Sequence, residues 1–73
     1  MVFANLKSGF HGIIESIAGG SPAVVQRLHE LGFSSGQSVS LCGRAPFGGP
    51  LVVQVRGTAV ALRPEEAACI RLR

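Results

Sequence analysis

The stretch Leu51-Val52-Val53-Gln54-Val55-Arg56-Gly57-Thr58-Ala59-Val60-Ala61-Leu62 decides the fold. In an extended chain Leu51, Val53 and Val55 fall on one face and Val52, Gln54 and Arg56 on the other, the two-residue period of a strand with one buried side. Arg56-Gly57 suits a tight hairpin turn, and Thr58 to Leu62 continues as the returning strand. A β-hairpin in the middle of a 73-residue chain sets the class as mostly β.

The segment that feeds this hairpin is Arg44-Ala45-Pro46-Phe47-Gly48-Gly49-Pro50. Gly48 and Gly49 admit positive φ, while Pro46 and Pro50 fix φ near about −65° and supply no amide donor, so the segment cannot extend the flanking ladders. Phe47 is thereby presented by turn residues. Its ring has two possible uses: an anchor that docks in a partner's pocket, or a cover folded back over one end of the core.

Working toward the N-terminus, Gln37 to Gly43 alternates Val39 and Leu41 with Ser38, Ser40 and Cys42, which predicts a half-buried strand. Phe10 to Ile17 predicts the first strand; the spacing of Ile13, Ile14 and Ile17 breaks the alternation and implies a bulge near Ile14. Between them Ser21-Pro22 offers a helix start, with a side-chain acceptor followed by a residue that lacks the orphan donor. The helix is expected over residues 22–31, with Val24, Leu28 and Leu31 on one face, Val25 beside them, and Gln26, Arg27 and Glu30 toward water. Gly32 ends it, and Phe33 reaches back to Leu28. Beyond the hairpin, Pro64 to Ala68 predicts one helical turn and Cys69 to Arg73 a fifth short strand. The expectation is a single domain over residues 1–73: a small five-strand β-barrel with one inserted helix, closed so that no sheet edge is left exposed.

Composition agrees with a folded module, at 47% hydrophobic and 15% charged residues. The longest apolar run is far short of a membrane span and the N-terminus lacks a leader pattern, so the protein is expected in the cytoplasm, without direct membrane insertion. Cys42 and Cys69 are expected as free, buried thiols. The net charge of +3 comes from scattered basic residues and is a weak pull toward acidic partners.

The residues that could carry chemistry do not converge in sequence. Metal candidates are His11, His29 and Glu30, with Glu65, Glu66, Cys42 and Cys69 more remote. His29 and Glu30 are helix neighbours that point about 100° apart, and no histidine lies four residues on. No required cofactor is expected, only weak Fe2+ or Zn2+ binding at a surface shared between copies. No nucleophile sits beside a base and an orienting group, and neither glycine pair leads into a phosphate loop, so an enzyme is not expected. A basic β-barrel that binds nucleic acid is the alternative, but few aromatics are available for stacking and nucleic acid is not the expected partner. The candidate partner-binding set is Arg44, Pro46, Phe47, Gly48, Gly49 and Pro50, together with Arg56; the two arginines would orient the partner by pairing with acidic groups.

Gly9 to Gly20, Arg27 to Gly36, Ala45 to Leu51 and Arg56 to Arg63, in that order and spacing, resemble the FeoA family across nearly the whole chain. The resemblance implies a Src-homology-3-like (SH3-like) barrel with an inserted helix. It also implies an accessory role in bacterial ferrous iron uptake beside FeoB, a membrane permease with a cytosolic G-protein domain. The same module is similar to the C-terminal domain of iron- and manganese-dependent repressors; with Met1 opening the chain, a free-standing monomer or weak oligomer is the expectation.

Overall fold

A computed structural model of the chain describes Phe3 and residues 6–73. The elements run β1 (His11–Ile17), α1 (Pro22–Glu30), β2 (Ser38–Arg44), β3 (Leu51–Val55), β4 (Thr58–Leu62), α2 (Pro64–Ala67) and β5 (Ile70–Leu72). All five strands pair antiparallel in one sheet of order β4-β3-β2-β1-β5. The strands and the helix stand within a residue or two of where the hydrophobic periods place them.

The central hairpin follows its pattern. Leu51, Val53 and Val55 are buried, while Val52 and Gln54 are exposed. Arg56 and Gly57 both take positive φ, at 52° and 77°, as the mirror-image two-residue turn requires. The helix starts where Ser21 accepts from the Val24 amide at 3.3 Å. It ends in a Schellman motif: the Phe33 amide donates to the Leu28 carbonyl and the Gly32 amide to the His29 carbonyl, with Gly32 at φ 104°. Leu28 and Phe33 are fully buried together, whereas Val24 and Leu31 are half-buried at the rim of the core. Phe3 also belongs to that core.

The sheet does not close. β1 divides its pairing, with His11 to Ile13 against β2 and Ile14 to Ile17 against β5. The register shifts between Ile14 and Ser16, the bulge that the isoleucine spacing implied. The bend at this bulge curls the sheet around the core, but the chain from Arg63 to Cys69 is spent on α2, and β5 has three residues, all committed to β1. β4 and β5 are therefore the two edges of an open, SH3-like sheet, in place of the closed barrel expected.

The cysteines are both free, but only Cys69 is buried. Cys42 is exposed: a second register shift between Leu41 and Gly43 leaves it as the extra residue opposite β3, on the solvent side that its alternation with Val39 and Leu41 demands.

Candidate functional site

The loop between β2 and β3 is held by two backbone bonds. The Ala45 amide donates to the Pro50 carbonyl at 2.9 Å, and the return bond cannot form because Pro50 has no N–H. Within it, the Gly49 amide donates to the Pro46 carbonyl at 3.2 Å, closing a four-residue turn with Phe47 and Gly48 at its centre. Both central residues have positive φ, 60° at Phe47 and 73° at Gly48. Gly49 is needed for space: a Cβ there would lie 2.7 Å from the Ala45 Cβ.

Phe47 stands clear of the molecule, with a relative exposure of 104%. The ring does not fold back as a cover over the core. Its backbone angle is one that a bulky residue adopts at a steric cost of roughly 1–2 kcal/mol. Of the four phenylalanines, Phe3 and Phe33 are buried and Phe10 packs partly against the core, so Phe47 alone offers its ring to solvent. The other exposed large apolar side chain among the described residues is Val52, at 40%, the second residue of β3.

The two arginines expected to orient the partner stand at opposite ends of the β2–β3 hairpin. Arg44 directs its guanidinium to the Leu6 carbonyl, a contact within its own chain. Arg56 lies at the far end of β3 from the loop, with its stem over Gly32, where a Cβ would meet the Arg56 Cδ at 2.9 Å. Instead Arg63, Pro64 and Glu65 face Gly48, Gly49 and Pro50 across an open cleft of about 230 Å³. The sequence contains a signal for this juxtaposition: a turn at Arg56-Gly57 pairs Leu51 with Leu62, so the next residues outward, Pro50 and Arg63, are neighbours.

The metal candidates remain apart. His11 lies on the outer face of β1, with Nδ1 3.1 Å from the Ser40 hydroxyl and Nε2 3.2 Å from that of Ser38. His29 and Glu30 are exposed on α1. Among the described residues, no three histidine, cysteine or acidic side chains gather as a metal site. Glu66 is committed to structure: its Oε1 accepts from the Arg63 amide at 2.9 Å, capping α2, and its Oε2 lies 3.4 Å from the Arg27 guanidinium. Among the described residues, no helix is long and apolar enough to cross a membrane.

A curled five-strand antiparallel sheet with a helix inserted after its first strand and a projecting β2–β3 tip defines a small SH3-like module. The sequence model of the family described as FeoA domain matches residues 1–73, and the chain belongs to the FeoA family. It is similar to the Stenotrophomonas maltophilia FeoA solved with zinc and described as a prokaryotic SH3 domain protein. The two share 34% identity with a TM-score of 0.86, covering 100% of this chain and 89% of that one. The Chlorobium tepidum FeoA protein is 33% identical with a TM-score of 0.89, over 99% of this chain and 68% of that one. A manganese-dependent transcriptional repressor shares the fold, at 20% identity and a TM-score of 0.91, with this chain spanning 35% of its length. No curated protein matches the chain.

Proposed function

We propose that this chain is an accessory protein of bacterial ferrous iron uptake that docks, by the Phe47 tip, on the cytosolic part of a FeoB-like permease and modulates transport. One observation carries the reading: a fully exposed phenylalanine held at φ 60°. A glycine would suit that backbone and a polar residue that exposure, so the sequence bears two costs at one position, as a recognition tip does. The Pro46, Gly48, Gly49 and Pro50 frame keeps the ring in place before contact and lowers the ordering cost of docking. Orientation falls to Arg63 and Glu65 across the cleft, since Arg44 is engaged with Leu6 and Arg56 is remote. The relative described as possibly a ferrous iron transport activating factor supports the accessory role.

The test is capture by the soluble G-protein domain and, separately, by the detergent-solubilised permease. Phe47→Ala is expected to weaken capture by about 1–2 kcal/mol, roughly 5- to 30-fold, and Arg56→Ala to leave it unchanged. Equal capture by wild type and Phe47→Ala overturns the reading.

The zinc held by the Stenotrophomonas relative favours a second, weaker property. Zn2+ or Fe2+ would be held here by His11 or His29 with Glu30 from two copies, so metal uptake would rise together with dimer formation in sedimentation experiments. Stoichiometric uptake by the monomer would contradict it.

A further inference from the structure

β4 is one rim of the open sheet, and it carries none of the devices that keep a rim from pairing. Thr58-Ala59-Val60-Ala61-Leu62 has no charge and no proline, and its register with β3 runs without a bulge from Val55↔Thr58 to Leu51↔Leu62. The two-residue turn makes Val55 and Thr58 a hydrogen-bonded pair, and alternation then makes Val53–Val60 and Leu51–Leu62 the next ones. The amides and carbonyls of Ala59 and Ala61 therefore point away from β3, and among the described residues no backbone bond from another element reaches them. Both residues are exposed, Ala61 paired with Val52 and Ala59 with Gln54.

Arg56 stands two residues before this strand, with Gly57 between, and Arg63 immediately follows it, both exposed. Neither joins an ion pair among the described residues; the one pair formed there is Arg27 with Glu66. Positive charge at both ends and none between selects the occupant. A second copy paired antiparallel about Val60 would set Arg63 of each molecule opposite the Arg56-Gly57 turn of the other, collecting like charges at both ends of the interface. An extended segment with carboxylates at its ends meets the same edge with opposite charge.

We infer that the β4 edge is a strand-addition site for a partner's extended polypeptide segment, uncharged over the length of β4 and acidic at both ends. The segment pairs with Ala59 and Ala61 and is flanked by Arg56 and Arg63. The inference does not require the docking role of Phe47, which is on the loop beyond the other strand of the hairpin, although Arg63 serves in both.

The test titrates the isotope-labelled chain with a short peptide of alternating threonine and valine capped by aspartates at both ends, and with the same peptide capped by lysines. The aspartate peptide is expected to shift the Ala59 and Ala61 amide resonances, slow their hydrogen exchange, and bind at least about tenfold more tightly than the lysine peptide. The Arg56→Glu, Arg63→Glu double variant is expected to reverse that preference, and Phe47→Ala to leave it unchanged. Equal binding of the two peptides, or Ala59 and Ala61 amides that do not respond, overturns the inference. So does a response of those amides to the chain's own concentration, which would assign the edge to a second copy.

Discussion

Arg27 and Glu66 join α1 to α2: the Arg27 Nη1 lies 3.4 Å from the Glu66 Oε2, with the arginine 56% exposed and the glutamate 8%. The other carboxylate oxygen caps α2 through the Arg63 amide. One buried carboxylate thus fixes α2 and, through it, the position of Arg63 beside the Phe47 loop. Glu66→Ala is expected to cost about 1–2 kcal/mol, because a cap and a charge-assisted hydrogen bond are lost together. Arg27→Ala removes only a half-exposed partner and is expected to cost less than about 1 kcal/mol. Urea unfolding measures both; equal costs would mean that the cap contributes nothing.

Gly32 closes α1 at φ 104° under the stem of Arg56. Gly32→Ala meets two penalties there, a backbone angle hostile to a Cβ and a 2.9 Å approach to the Arg56 Cδ, and is expected to destabilise by about 1–2 kcal/mol. Adding Arg56→Ala relieves the clash and not the angle. A double-mutant cycle should therefore show partial rescue, and full rescue would assign the whole effect to the side chain.

Phe47 separates stability from recognition. Phe47→Ala removes a ring that touches no core, so unfolding free energy is expected to change by no more than about 0.5 kcal/mol. Phe47→Gly is expected to be about 1 kcal/mol more stable than Phe47→Ala, since glycine accepts φ 60° freely. A lower melting temperature for Phe47→Gly than for Phe47→Ala would contradict the backbone assignment.

The two thiols should differ in their accessibility to reagents. Cys42 is exposed on the β2 bulge, whereas Cys69 is 5% exposed with its Sγ 3.5 Å from the Glu65 carbonyl. A thiol reagent is expected to modify one cysteine promptly in the native protein and the second only on unfolding. Cys42→Ser should abolish the prompt phase; loss of it in Cys69→Ser instead would reverse the assignment.

Much of the candidate site was legible because turn chemistry is local. Glycine and proline limits at residues 46–50 predicted a rigid loop, and β-sheet alternation put Leu51, Val53 and Val55 inside. The pattern also placed the arginines: a turn at 56–57 sends Arg56 to one end of the hairpin and returns Arg63 to the other. The two fates of the Phe47 ring were indistinguishable by pattern, since an apolar residue in a loop serves equally to cover a core or to leave it.

Strand limits, helix caps and the mirror-image turn were determined by sequence alone, because each depends on φ preferences and periods within a few residues. Whether the sheet closed and which strands became its edges were decided by the tertiary structure. These depend on how β1 shares its hydrogen bonds between β2 and β5, a long-range partition set by the bulge after Ile14 and by the core that the whole chain packs together.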